Sequence, residues 1–314
     1  MHLYEPAIGY RLYYPDQVDT RPPAGQNPPP GVLIDYYLAT GEAGGAAPAG
    51  PLTLEIIDSN GNAVRHLSSA KPQQGEQPPE WPDQVHPATT LPAAPGMNRF
   101  VWDLRYDDPV QIPGAFYAGL PPRGPVVLPG KYSLELKYNG ETHTVPLTIR
   151  ADPRVRQSLA GLQQKFALSM EVYHDQDALH RAVNDIRVFK GEVETALKEA
   201  GGKPRATSLA AEGHSLLQRA SNIEGILMQV NIKGSEANLN YPGMLNEQIY
   251  SFAGLLEDAD TAPNAQEIDT YSNLHNELAA QLSDWATLKK TKIAPFCAHL
   301  RAAGPRESSV GACQ

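Results

Sequence analysis

Between positions 171 and 180 lie five side chains of the kind that catalysis and metal binding use: Glu171, His174, Asp175, Asp177 and His180. Glu171-x-x-His174 and Asp177-x-x-His180 have the i, i+3 spacing that sets two groups on one face of a helix. Carboxylate-bridged di-metal bundles use Glu-x-x-His on each of two helices, with glutamates from two more. A second Glu-x-x-His is missing here, so the group reads as a solvated helix face. Asp103, Asp107 and Asp108 could supply the paired carboxylates of glycoside hydrolysis, but their setting reads as a strand end and a loop. The polar stretch 234–241 reads as an ordinary helix connection. Gly-x-Ser-x-Gly, a P-loop and a Rossmann glycine pattern are all absent. No catalytic, cofactor-binding or metal-binding residue is therefore assigned.

Cys297 and Cys313 are the two cysteines, and they form no Cys-x-x-Cys pattern. They are either free thiols or a disulfide closing a loop of about 15 residues, which would contribute about 3 kcal/mol.

These side chains must be held by elements, and proline shows where the chain changes character. Only five of its 29 prolines lie beyond Pro153: Pro204, Pro242, Pro263, Pro295 and Pro305. Proline in a helix interior costs about 3 kcal/mol, so the first half is not mostly helical, while the second can be. Residues 1–30 read as an extended Pro-rich lead-in, with a short strand around Tyr10, Leu12, Tyr13 and Tyr14. Period-two or β-rich runs then predict strands at 32–38, 52–58, 63–67, 99–105, 130–138 and 141–149. Asn60-Gly61 and Asn139-Gly140 supply hairpin turns. Trp102 shares a face with Phe100 and Leu104 and is the expected core anchor; a sugar-stacking platform is its alternative. Long Pro-rich loops run over 68–95 and 107–129.

Beyond the boundary the apolar period becomes helical. Leu159, Leu162, Phe166, Tyr173, Leu179, Val183, Ile186, Phe189, Val193 and Leu197 mark a helix over about 156–200, with one slip near Gln176. Leu209, Gly213, Leu216, Ala220, Ile223, Leu227 and Val230 mark a second, whose small residues permit close approach. Shorter patterns predict a third over about 242–259 and a fourth from Pro263 that Pro295 bends or ends. The expected architecture is all-β plus all-α: an immunoglobulin- or fibronectin-III-like sandwich over 31–150, an up-down bundle of three to four long helices over 151–303, and a tail over 304–314.

Four stretches carry a family resemblance: 31–38 (GVLIDYYL), 96–106 (GMNRFVWDLRY), 123–132 (RGPVVLPGKY) and 239–246 (LNYPGMLN). With them the chain resembles the C-terminal region of bacterial sortilin-type or BNR/Asp-box β-propeller proteins often labelled glycosyl hydrolases, without the propeller. His2-Leu3-Tyr4-Glu5-Pro6 is similar to the exit from a last propeller blade. The resemblance implies that any hydrolase activity would reside in the propeller, that no catalytic residue carries over, and that the relatives are exported.

The net charge of −9 and pI near 5.5 argue against nucleic acid, which needs clustered Lys and Arg. No apolar run of about 18 residues marks a membrane span, and the opening residues lack a signal-peptide pattern, which leaves the compartment open. The expected function is a non-catalytic accessory module that docks on a propeller, another protein or a second copy. The alternatives are a carbohydrate-binding module using Tyr106, Phe116 and Tyr117, or a fragment of a glycoside hydrolase.

Overall fold

A computed structural model describes residues 1–12, 31–39, 50–70, 89–117, 119–156, 158–200, 206–234, 237 and 239–303. Eight strands come first: β1 (His2–Leu3), β2 (Gly9–Arg11), β3 (Val32–Leu38), β4 (Thr53–Asp58), β5 (Ala63–Ser68), β6 (Gly96–Trp102), β7 (Gly130–Tyr138) and β8 (Glu141–Ala151). They form two sheets, ordered β1-β3-β6 and β2-β8-β7-β4-β5. The β7–β8 hairpin turns at Asn139 and Gly140, both at positive φ (50° and 81°), which is the conformation that the Asn-Gly pair tolerates. Strict alternation along β3 buries Val32, Ile34, Tyr36 and Leu38. Beside them, Phe100 and Trp102 join Leu54, Ile56, Leu134, Leu136 and Ile149 in one core drawn from both sheets. Trp102 is 1% exposed and its indole N–H donates to the Arg105 carbonyl at 3.0 Å. That burial removes it as a sugar platform.

The helices follow: α1 (Leu159–Ala200), α2 (Ala206–Leu227), α3 (Leu245–Glu257) and α4 (Ala265–Leu288), which continues through a π-turn (Lys289–Ile293) into α5 (Ala294–Ala303). Pro295 neither ends nor breaks this last helix. The Ala294 N–H bonds to the Lys289 carbonyl, five residues back, and this widened turn precedes a proline that has no N–H to give. Among the described residues, no helix is long and apolar enough to cross a membrane.

The expected sandwich with a long-helix bundle is overturned. The chain has mixed α and β content, with sheets of three and five strands, one of them curled into a half-barrel, and helices following the strands. β2 joins the larger sheet parallel to β8, and the helices range from 42 residues in α1 to 10 in α5. The physical reason is that alternation identifies a strand and its buried face, not the edge along which it pairs. Helical period likewise finds an apolar stripe without saying what covers it.

The chain divides into two compact units. One comprises Met1–Asp108, Arg123–Ala167 and Ala259–Ala262; the other comprises Pro109–Pro122, Leu168–Asp258 and the chain from Pro263 onward. In the first, Arg11 clasps the short Ala259–Ala262 piece. Its guanidinium donates to Asp260 through Nε and Nη2 at 2.8–3.1 Å. Its Nη1 donates to the Val126 and Val127 carbonyls at 2.8 and 2.7 Å. In the second, α1 and α2 supply Leu179, Val183, Ile186, Phe189, Val193, Leu216, Ala220 and Leu227 to a core that also takes in Ile112, Ala115 and Tyr117.

Gly213 shows why that core needs small residues. A Cβ there would lie 3.1 Å from a Leu197 methyl and 3.2 Å from the Phe296 ring. Gly213→Val is expected to lower stability by about 2 kcal/mol through overpacking. Gly225→Ala, whose Cβ would meet nothing within 4 Å, should raise it by about 0.5–1 kcal/mol. Urea midpoints of the two variants measure both effects. Cys297 is disulfide-bonded, while Cys313 lies outside the described residues. Labelling of the unfolded, unreduced protein should accordingly find no reactive thiol.

Candidate functional site

One face of α1 carries four polar side chains at three- and four-residue steps: Asp177, His180, Asn184 and Arg187. Together they grip the backbone of residues 110–113. Asp177 accepts the Val110 N–H at 2.8 Å, and His180 donates from Nδ1 to the Val110 carbonyl. Asn184 donates to the Gln111 carbonyl at 3.0 Å, and Arg187 to the Pro113 carbonyl at 3.0 Å. The spacing follows from helical geometry, since i, i+3, i+7 and i+10 lie along one stripe. The segment they hold needs them, because Pro109, Pro113 and the irregular backbone between cannot pair within a sheet or helix. Buried backbone groups must find partners.

Around His180 the ladder turns inward. Its ring is fully buried. Nε2 faces Gln176 Nε2 at 2.7 Å, Asn246 Oδ1 at 2.9 Å and the Tyr117 hydroxyl at 3.2 Å. The Gln176 amide also donates to Asn246 Oδ1 at 2.7 Å. Asn246 in turn donates to Glu247 Oε1 at 2.9 Å, and Glu247 Oε2 accepts the Gln229 and Met244 N–H groups at 3.1 and 2.8 Å. Burial pushes the His180 pKa down, against the opposing pull of the Val110 and Asn246 oxygens. Burial also pushes the Tyr117 phenol up, so its hydroxyl is a donor. A ring sealed from solvent meets no substrate, and the cluster's chemistry is that of a joint.

At the outer end of the ladder, Glu224 of α2 is buried. Arg187 donates to it at 2.7 Å and Lys190 at 2.9 Å. Burial alone would raise its carboxyl; the two cations overcome this and hold it below its usual value.

Structure splits the five residues at 171–180. Asp177 and His180 join the ladder, while Asp175 accepts from His275 of α4 at 2.8 Å. Glu171 and His174 stay exposed. Among the described residues, no three His, Cys, Asp or Glu side chains gather as a metal site. In the first unit, each candidate acid is engaged by a basic side chain. Asp103 pairs with Arg123. Asp107 receives the His66 backbone N–H at 2.9 Å and bonds its ring at 2.6 Å. Asp108 takes Arg65 at 3.2 Å and the Gly124 N–H at 3.1 Å. Of the candidate sugar-stacking rings, Tyr117 is buried and Tyr106 packs on Phe166 at 5.7 Å. In the stretch 234–241, residues 235, 236 and 238 lie outside the described residues.

The outward face of the three-stranded sheet is different in kind. Register places Leu33 opposite Val101, Asp35 opposite Arg99, and Tyr37 between His2 and Met97. Met97 is 61% exposed, and Tyr4, Leu33 and Tyr37 are exposed as well. A single bidentate ion pair, Arg99 to Asp35 at 2.7 and 2.8 Å, sits among them. Alongside runs a groove of about 320 Å³ lined in part by Tyr4, Ile8 and Leu33. Apolar side chains in adjacent rows of a solvent-facing sheet are the usual mark of a contact surface.

No protein-family model, curated protein or solved structure matches the chain.

Sequence reasoning missed Gln176, Asn184, Arg187, Glu224 and Asn246. A signal for the first was present: the apolar stripe of α1 slips at Gln176, where the core is polar. For the others there was none, because their partners come from distant segments. Glu224→Ala is expected to cost about 3 kcal/mol, the low end for a broken buried pair, because Arg187 and Lys190 keep 33% and 26% side-chain exposure and can rehydrate. Chemical denaturation of the variant checks it.

Proposed function

We propose that this chain is a non-catalytic accessory module that docks on a protein partner, with a β-propeller protein as the partner class that the sequence resemblance suggests. The observation that carries the reading is the solvent-facing apolar surface of β1, β3 and β6, where Tyr4, Leu33, Tyr37, Met97 and Val101 surround one ion pair. A rigid face with aromatic anchors offers the central contact from which most interfaces draw their affinity. In support of a non-catalytic role, Asp103, Asp107, Asp108, Asp177 and His180 are engaged in ion pairs and backbone contacts.

Sedimentation velocity of this chain mixed with the propeller protein encoded nearest to it tests the proposal. A complex is expected, and Tyr37→Asp or Met97→Asp should weaken it at least about tenfold, in line with loss of a central contact, without changing the thermal midpoint. A glycan array with hits that Tyr37→Asp abolishes, and no protein complex, would replace this reading with carbohydrate binding. Concentration-dependent dimers lost in the same variants would make a second copy the partner.

A further inference from the structure

β6 is the last strand of the three-stranded sheet, and its outer edge is a row of backbone donors and acceptors. The Asp35 carbonyl accepts the Tyr4 N–H at 3.1 Å, so the backbone groups of Asp35 point toward β1. Along a strand those groups alternate between its two edges. Leu33 and Tyr37 therefore share the direction of Asp35, while Val32, Ile34, Tyr36 and Leu38 point toward β6. Their partners there are Trp102, Phe100, Asn98 and Gly96. Met97, Arg99 and Val101 are left with their N–H and C=O groups directed away from β3. Among the described residues, no backbone bond takes these groups.

Edge strands are normally blunted by proline, lysine or a bulge. Gly96–Trp102 holds neither proline nor lysine, and its register against β3 runs without a shift. Its one charge is Arg99, already neutralised by Asp35. Exposure marks the same edge: Met97 is 61% exposed, whereas Tyr37, with a strand on either side, is 39% exposed.

β6 also displays what it takes as a neighbour. On its covered side Leu33 lies opposite Val101, Asp35 opposite Arg99, and Tyr37 opposite Met97. Arg99 gives Asp35 its Nε and Nη2, and among the described residues nothing takes its Nη1. A strand added on the open side would meet the same three side chains at the same alternation. The pattern that fits is apolar–x–acidic–x–apolar, with the carboxylate opposite Arg99.

We propose that the docking partner adds an extended segment of this pattern to β6 as a fourth strand. The inference rests on the docking reading above and names the part of the partner that enters. Hydrogen bonds to the backbone of Met97, Arg99 and Val101 hold the segment, and its alternate side chains supply selectivity. Its apolar residues extend the rows of Leu33 with Val101 and of Tyr37 with Met97, so the open edge and the apolar face become one contact.

Amide hydrogen exchange read by NMR, on the full chain alone and with the propeller protein encoded nearest to it, tests the edge residue by residue. Alone, the amides of Met97, Arg99 and Val101 should exchange freely, and those of Asn98, Phe100 and Trp102 slowly. In the complex the first three should slow at least about tenfold, a change of about 1.4 kcal/mol. A complex that leaves them unprotected would overturn the added strand and leave the docking face standing. Protection already present in the isolated chain would overturn it too, with one of two stretches as the occupant. Tyr14-Pro15-Asp16-Gln17-Val18 and Trp81-Pro82-Asp83-Gln84-Val85 repeat the same alternation outside the described residues. Protection that rises with the concentration of the chain alone would assign the edge to a second copy and overturn it as well. Should that propeller protein form no complex, the synthetic peptide Lys-Leu-Thr-Asp-Thr-Tyr-Lys decides. Amide shifts at Met97, Arg99 and Val101 are expected, abolished by N-methylation of its Leu, Asp and Tyr and kept on N-methylation of its two Thr. An edge that ignores the peptide, or binds it whichever residues are methylated, sinks the proposal.

Discussion

A backbone that crosses a protein interior outside any helix or sheet must have its N–H and C=O groups satisfied by side chains. Residues 110–113 present that problem, and α1 answers it with Asp177, His180, Asn184 and Arg187. The demand propagates. Arg187 needs Glu224, which draws in α2 and Lys190. His180 needs Gln176 and Asn246, which draws in α3 and, through Glu247, the start of the α2–α3 connection. The helical core is thus pinned in register by polar contacts laid through an apolar cluster of Ile112, Tyr117, Val183, Ile186 and Ile249. Apolar packing is tolerant of sliding; a chain of committed donors and acceptors is not.

The β-rich unit divides its labour between two faces of one small sheet. Inward residues of β3 and β6 fill the core with Ile34, Tyr36, Phe100 and Trp102, while outward residues leave Leu33, Tyr37 and Met97 in solvent. A sheet face that serves solubility alone would carry charges in those rows. Here the one charged pair among the described residues is Asp35 with Arg99, which neutralises itself. The acids nearby are spent on architecture. Arg65, Arg123 and His66 anchor Asp108, Asp103 and Asp107, and so tie the chain after β6 to β5 and to residues 123–124.

A disulfide at Cys297 and a π-turn before Pro295 shape the last helix. The first restrains the unfolded chain, and the second lets a proline ride within a helix that it would otherwise end.

The sequence by itself determined the elements and the faces they bury. Alternation at Val32, Ile34, Tyr36 and Leu38, the Asn139-Gly140 turn and the Gly213/Ala220 seam are local properties, set by steric period and backbone preference, and each is where the pattern placed it. Tertiary structure alone decided which strands share an edge, that β2 runs parallel to β8, and that a stretch between β6 and β7 belongs with the helices. It also decided the fate of the reactive-looking side chains. Asp177 and His180 read as solvated because their spacing is indifferent to what lies opposite. Their partners come from 67 and 70 positions away, and a hydrogen bond leaves no trace in the order of residues on either side of it.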